Sequence, residues 1–597
     1  MFGNPPEIVF TPQASECIEC NTALNIYKTK KRTLFTYHIG EFTAKEIQLI
    51  CSNTACHNKI VYHSEELPEL VAAGCNYGHD IVELVGKSMY MQHMQAVEIK
   101  ELLRCSNNIP ISVSGVEFLA KKFIIYLSVI HEQYNVEIVN EINTNGGYIL
   151  HLDALDGGAK GGMRLMCGVD GITDFVLGNE KILSENSDYV IPFLERLKKN
   201  FGSPLRIVQD CGTGIMKAAE TVFPEVEILV CHFHFLRDIG KDLLSDDYDI
   251  IRKRLRHFGI LTKLRKLSGK LIELCSVEND IGSFYTSAIQ NESINIDNRA
   301  QTALLFYTLI QWILDWKSEC DGYGFPFDRP HFELVKRVYK ALDVLEKNKM
   351  IKDIDPDNKR TIRKAYFSLK RILGSIVKDK KIKNALRGIE KDITVFDNLR
   401  TAMRVVSKKG EEGLNDEGEQ NIKLIETSVK EFVNKLGKNQ PFCAEKKGPA
   451  FLEQIYKYWD KLFADPVVIE TDSGTKTVQP QRTNNIMEQM FRNLTRDYKR
   501  KTGDSSVGRT VQAMVKDIPF IRNLKNEKYR KIILGDKKSL AGVFAEIDPV
   551  VVRRKMKEHN LYHEKMPGKI KTLLKNNKIL DILTNITNLK KKPDIYK

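Results

Sequence analysis

What this sequence lacks narrows the field first. No apolar run approaches the roughly 18 residues that a membrane-spanning helix needs. The longest candidate, FIIYLSVI at 123–130, falls well short. The N-terminus, MFGNPPEIVF, has no basic segment followed by an apolar one, so no secretory leader is expected. No phosphate-binding loop pattern occurs, and CDGYGFPFDRP at 320–330 reads as a turn. No serine, histidine and aspartate stand in an order that suggests a nucleophilic triad, and no internal repeat is evident. These absences point away from membrane-spanning, secreted and P-loop nucleotide-hydrolysing proteins. The expected location is the cytoplasm or nucleoid, or the nucleus in a eukaryote, without a membrane partner.

What is present is a long basic chain. Its 597 residues suit roughly three to five domains. Hydrophobic residues at 42% and charged residues at 28% give the balance of a globular protein with real cores. A net charge of +14 points to a polyanionic partner, with nucleic acid ahead of an acidic membrane surface. A merely soluble basic protein is the plain alternative. In a reducing compartment the twelve cysteines read as buried thiols or metal ligands rather than disulfides.

Four cysteines open the chain, as CIEC (Cys17, Cys20) and CSNTAC (Cys51, Cys56), around a β-prone stretch centred on Gly40. Paired thiolates on short turns hold a soft divalent ion, so residues 1–65 read as a zinc-ribbon-like module with structural Zn²⁺. His57 or His63 could replace one ligand, and four unliganded buried thiols are the alternative. Residues 66–142 read as helical. HMQAVEIKELLRC puts Val97, Leu102 and Leu103 on one face. After Pro110, Ser114 and Glu117 form a capping box ahead of an apolar face of Val116, Leu119, Phe123, Leu127 and Ile130. Helix, short turn, helix suggests a helix-turn-helix DNA-binding domain, with Lys121 and Lys122 placed to meet phosphates. A helical hairpin linking domains is the alternative.

From 145 to 244 the pattern changes. YILHLDALDGG reads as a strand and RLMCGVDGITDFVLGN as two strands around an Asp170-Gly171 turn. An amphipathic helix ends at Gly202. The strand RIVQD, a helix closed by Pro224, the strand EILVC and a further helix follow. The order β-β-β-α-β-α-β-α is that of an RNase H-like fold. Residues 245–470 read as a large all-helical insertion, with a polar loop at 407–421. Residues 471–505 return to the core through a helix carrying Glu488, and 506–597 read as a basic helical C-terminal region. The fold class expected is therefore an α/β RNase H-like catalytic core with a large all-α insertion, in an α-rich multidomain chain.

Three acids stand out by position. Asp153 ends the first strand of the core and Asp210 follows the fourth, and in this fold those strands are neighbours. Two adjacent carboxylates repel unless a cation lies between them. Mg²⁺ or Mn²⁺ suits such oxygen ligands. Glu488 lies on a helix that opens after the polar run TNN (483–485), and Arg492, Thr495 and Lys499 share its face.

The run IVQDCGTGIMKAAETVFPEVEILVCHFHFLRDIGKDL resembles the DDE transposases, in their Mutator-like and hAT-like branch of insertion-sequence type. The shared pattern is an aspartate, a helix ending in FP, a strand ending in C-x-x-H and, after a long helical insertion, a glutamate. The likeness covers roughly 145–245 and 480–503. It implies an enzyme that cuts transposon ends and joins their 3′-OH to target DNA, using two Mg²⁺ or Mn²⁺ ions at Asp153, Asp210 and Glu488. Its partner would be double-stranded DNA, and holding two ends implies at least a homodimer. The first motif departs from the family: HLDALDGG has two aspartates, with Leu155 where a threonine or serine is common, so Asp156 competes with Asp153. A catalytically silent, domesticated DNA-binding protein and an RNase H-like nuclease without strand transfer are the rival readings.

Smaller signals follow from that frame. Arg482, Arg492, Arg496, Lys499, Arg500 and Lys501 would line the DNA path, or form a solvated basic face. Cys231 and His234 would support the active site or touch DNA, or pack structurally. Trp312 and Trp316, one helical turn apart, read as core or as a stacking surface for a base.

Overall fold

The computed structural model describes residues 5–57, 59–156, 162–274, 298–347, 359–405, 422–471, 474–503 and 506–561, with 286, 290 and 584. The polar loop expected at 407–421 and, residue 584 apart, the basic tail at 574–597 lie outside them. The chain divides into two compact units. The first comprises residues 1–228, 467–480 and 484–597, and the second comprises 229–466 and 481–483.

The first unit opens with strands β1 (Glu7–Phe10), β2 (Leu24–Thr36) and β3 (Gly40–Cys51) in the order β1-β3-β2. β2 and β3 form an antiparallel hairpin and β1 runs parallel to β3. Gly40 sits at the start of β3 with φ +83°, a conformation that costs glycine little. Alternation brings Leu34, Phe42 and Ala44 inward against Phe10.

Five helices follow: α1 (Glu66–Leu70), α2 (His79–Tyr90), α3 (Ala96–Asn107), α4 (Val113–Gln133) and α5 (Asn135–Thr144). Three readings of this segment change. On α3, Ile99 and Leu103 are buried while Val97 is exposed. The cap of α4 is Ser112, whose extended backbone aims its hydroxyl at the Gly115 N–H, 3.0 Å away, so Ser114 and Glu117 form no capping box. A capping box opens α3 instead, where Gln95 N–H donates to Glu98 at 2.7 Å. Most importantly, α4 is buried beyond the expected face. Ile124, Ile125, Tyr126 and Val129 are covered as well, so α4 is a core helix rather than one presented to a DNA groove. The α2–α4 packing leaves no room at Gly86, where a Cβ would lie 2.0 Å from the Phe123 ring.

The larger sheet contains β4 (Ile149–Asp156), β5 (Arg164–Asp170), β6 (Val176–Ile182), β7 (Arg206–Gln209) and β8 (Ile228–Val230) in the order β6-β5-β4-β7-β8. β4, β5 and β6 form an antiparallel meander and β7 pairs parallel with β4. Helix α6 (Ser187–Phe201), closed by Gly202 at φ +76°, leads into β7, and α7 (Thr213–Val222) leads toward β8.

The second unit is built of helices: α8 (His232–Phe258), α9 (Ile260–Leu274), α10 (Asn298–Leu314), α11 (Pro330–Lys347), α12 (Lys359–Val377), α13 (Lys380–Ala402), α14 (Ile422–Gly437), α15 (Gln440–Cys443), α16 (Lys447–Lys457) and α17 (Trp459–Leu462). The guanidinium of the buried Arg329 forks onto Asp397 through two 2.9 Å bonds. Trp316 is buried against His331, and half-exposed Trp312 carries the Arg337 guanidinium 5.1 Å from its ring centroid.

The chain returns through an antiparallel hairpin, β9 (Val467–Thr471) and β10 (Gly474–Val478), which the residue pattern does not announce. Then come α18 (Asn485–Thr502), α19 (Val507–Ala513), α20 (Phe520–Asn523), α21 (Glu527–Leu534), α22 (Leu540–Ala545) and α23 (Pro549–Leu561). One apolar cluster runs from α2 through the larger sheet to α18 and on to Met556. Residues within 66–142, 145–228, 484–503 and 506–561 thus share a core. The joints are aromatic: Tyr126 stacks on Phe544 at 4.4 Å and His131 on Phe520 at 4.3 Å.

Candidate active site and metal centre

Strand register determines where the first two acids lie. β4 pairs with β7 in parallel with His151 opposite Val208. Two residues further along each chain stand Asp153 and Asp210, so the two carboxylates leave neighbouring strands at the same edge. Asp153 is half-buried and accepts the Ala154 N–H at 2.7 Å. Asp210 accepts the Gly212 N–H at 2.9 Å, and a Cβ on Gly212 would lie 2.8 Å from that same carboxylate oxygen.

Glu488 comes from the first turn of α18, and Asn484 ties that turn to β4. The Asn484 amide donates to the Leu152 carbonyl at 2.8 Å and accepts from His151 Nδ1 at 2.9 Å. Both partners immediately precede Asp153 on its strand. Asn484 is wholly buried, and burial lowers the His151 pKa to about 4, so the ring is neutral. Neither His151 nor Asn484 was singled out from the sequence. The TNN run marks a helix start, but nothing in it specifies a bond 332 positions away.

The electrostatics couple these groups. Burial holds the Asp153 carboxyl well above the usual carboxylate range, and the neighbouring charge of Asp210, then Glu488 and Glu185, pushes it further. Glu185 is itself raised by burial and by Asp210, with Arg164 opposing at 2.9 Å. A half-buried group of mutually repelling carboxylates is what a bound cation would relieve, so the donor set fits a hard divalent ion. Asp156 is exposed at the end of β4 and faces Arg164 at 3.5 Å. Asp153 is therefore the aspartate of HLDALDGG that stands with Asp210 and Glu488.

A second donor set lies in the β2–β3 module. The ligand atoms of Cys17, Cys20, Cys51 and Cys56 all lie within 4.8 Å of one another. Among the described residues no other group of three or more His, Cys, Asp or Glu closes so tightly, and the acids around Asp153 are spread more widely. The sulfur separations of 3.9 Å (Cys17–Cys56) and 3.5 Å (Cys20–Cys51) far exceed the ~2.05 Å of a disulfide. They match the ~3.8 Å edge of a tetrahedron whose metal–sulfur bonds are ~2.3 Å. The cluster could hold a metal ion such as zinc. Hydrogen bonds from Thr22 lower the Cys20 thiol pKa, while burial raises that of Cys51. His63 is engaged by Glu46 at 2.9 Å.

The basic residues separate into two groups. Arg492, Arg496, Lys499 and Arg500 are exposed along α18, and Lys121 is half-buried. Lys501 turns inward, its ammonium 5.0 Å from the Tyr90 ring centroid, and burial brings its pKa to about 8. Lys122 is buried, with Nζ 3.0 Å from the Cys75 sulfur, out of a phosphate's reach in this conformation. Arg482 is also buried: it belongs to the second unit and donates to the Met403 carbonyl at 3.0 Å. Cys231 and His234 lie in the second unit as well, buried at the start of α8. Burial lowers the His234 pKa to about 3. His232 beside them bonds the Leu462 carbonyl at 2.7 Å.

No protein family's sequence profile matches the chain, and no curated protein matches it in sequence. Among solved structures it is similar to the Drosophila P element transposase strand transfer complex, at 10% identity and a TM-score of 0.29, over 79% of this chain and 94% of that one. No helix among the described residues is long and apolar enough to cross a membrane.

Proposed function

We propose that this protein is a DNA transposase of the DDE kind, with an RNase H-like catalytic core formed by β4 to β8 and α18. One observation carries the reading. Parallel pairing of β4 and β7 aligns Asp153 with Asp210, and Asn484 docks the Glu488 helix against the same strand. Asp153, Asp210 and Glu488 would hold two Mg²⁺ or Mn²⁺ ions, which supply an activated water or 3′-OH and neutralise charge at the phosphate. The chain's own residues do the rest. Asp153, between its acidic neighbours, provides the oxygen density that draws cations to this edge. Asn484 and His151 fix the angle at which Glu488 enters. Arg492, Arg496, Lys499 and Arg500 would hold the DNA backbone through salt-dependent contacts. Lys121 would add charge at the margin of that path, and Cys231 and His234 would stiffen the first turn of α8. Structural Zn²⁺ at Cys17, Cys20, Cys51 and Cys56 would hold the N-terminal module together. The partner is double-stranded DNA, and two ends held at once require at least a dimer.

The test is end cleavage and joining of DNA carrying the element's terminal repeats, in Mg²⁺ or Mn²⁺. Asp210→Asn and Glu488→Gln should each abolish both steps while leaving DNA binding intact. Wild-type protein that binds DNA and never cuts it would favour a silent DNA-binding protein. Cleavage without joining would favour a nuclease.

A further inference from the structure

A cavity of about 460 Å³ lies within the first unit, between α4, α23 and the loop 72–77. Its size is that of a small-molecule site. Ala72, Leu119, Val552 and Met556, all buried, give it apolar walls. Two polar groups reach it from one face of α4, four residues apart. The first is Tyr126, which is 1% exposed and whose hydroxyl has no hydrogen-bond partner among the described residues. Burial raises its pKa, so the hydroxyl keeps its proton and can donate it. A buried hydroxyl left unmet costs free energy until something in the cavity accepts from it.

The second is Lys122, which is 6% exposed. Its ammonium lies 3.0 Å from the Cys75 sulfur and 5.4 Å from the centroid of the Tyr126 ring. An ammonium carries three donors, and a thiol is a weak acceptor for one of them. A buried cation is costly unless an opposite charge meets it. Two further cations, Arg553 and Lys557, line the cavity from the exposed side of α23, and Arg553 donates to the Ala73 carbonyl at 3.3 Å. Among the described residues none of these three cations forms an ion pair, and no acid lines the cavity. Their charges therefore add rather than cancel. Apolar walls beside unopposed cations suit a ligand that is apolar in its body and anionic at its head.

We propose that this cavity binds a small amphiphilic carboxylate, held by Lys122 and Tyr126 at its head and by the apolar walls along its body. The Lys122 ammonium and the Tyr126 hydroxyl each donate to one carboxylate oxygen, and Leu119, Val552 and Met556 cover the apolar chain or ring. Lys122 is out of reach of a DNA backbone but open to a molecule of this size. The site therefore does not depend on the proposed DNA chemistry.

Isothermal titration of the full chain with decanoate, and separately with decanol and with acetate, tests this. One saturable decanoate site per chain is expected, with decanol and acetate each at least roughly tenfold weaker because each supplies half of the ligand. Lys122→Met should weaken decanoate roughly tenfold or more, the loss of one charge-assisted bond. Tyr126→Phe keeps the ring that stacks on Phe544 and removes only the hydroxyl, so it should weaken decanoate about threefold to tenfold. Thermal melting checks that both variants fold, and Lys531→Ala, at an exposed site on α21, controls for diffuse anion binding. Decanol binding as tightly as decanoate would mean that the cations do not read the ligand, and would overturn the proposal. So would the absence of a saturable decanoate site, or equal binding by wild type and both folded variants.

Discussion

Asn484 shows most directly how single residues build the candidate site. Its amide spends both ends on β4, at 2.8 Å and 2.9 Å, in a wholly buried position. Replacing it by alanine leaves the Leu152 carbonyl and His151 without partners. That should cost about 2–4 kcal/mol of stability, as two buried bonds imply. It should also lower DNA joining more than DNA binding, because Glu488 loses its anchor while the basic face of α18 stays. Equal loss of binding and joining would mean that Asn484 merely supports the fold. The buried imidazoles make a second prediction. His131 bonds Tyr529 at 2.9 Å and the Leu177 carbonyl at 3.1 Å, and burial brings its pKa to about 4. Its unfolded counterpart takes up a proton below about 6.5, so the unfolded state binds more protons between those values. Stability contributed by a neutral His131 is thus complete above about 6.5 and lost as pH falls toward 4. Urea titrations at pH 7.5 and 5 should show wild type losing up to ~1.4 kcal/mol per pH unit more than His131→Gln in that window. Identical pH dependence would exclude His131 as the source. At this scale the sequence was partly legible. Asp210 directly follows β7, and a carboxylate at such a strand end is visible by eye, whereas β4 runs past Asp153 to Asp156. Lys122 and Arg482, expected to meet DNA, are buried instead, with Cys75 and the Met403 carbonyl as partners distant in sequence.

Among the elements, the β2–β3 hairpin depends on something outside its own packing. Its inward residues form a small cluster with Phe10, Leu67 and Val71. Such a cluster supplies little stability by itself, whereas a bound ion would join Cys17 and Cys20 to Cys51 and Cys56 across the sheet edge. Elemental analysis of purified protein should find about one zinc per chain. Chelation, or Cys51→Ser, should expose residues 1–65 to protease while the rest of the first unit keeps its melting transition. Full protease resistance of the metal-free protein would contradict a structural role for the ion. The hairpin and the strands of the larger sheet were legible because alternation, glycine turns and β-branched residues agree there. Helix α4 was not. Its periodicity indicated one apolar face, but Phe544, which stacks on Tyr126 outside that face, comes from more than 400 positions downstream. The same distance hid the joining of 66–142 to 506–561.

At the scale of the molecule, a basic chain gathers acids at one edge of its larger sheet. Burial and the charges of Asp210, Glu488 and Glu185 raise the Asp153 carboxyl, so the metal-free site works against folding. Sites held in tension for function are commonly more stable when neutralised, by roughly 0.5–2 kcal/mol. The order of elements around this site could be read from the sequence, since each motif lay on a recognisable strand or helix. The β9–β10 hairpin and the packing of α19 and α20 against the sheet could not, because short helices and edge strands carry little periodic signal. The most direct measurement is therefore a paired one on Asp153→Asn: DNA-end cleavage and joining in Mg²⁺, and thermal unfolding in chelator. Activity should disappear while the melting temperature of the metal-free protein rises. Full retention of cleavage and joining by a folded Asp153→Asn protein would contradict it.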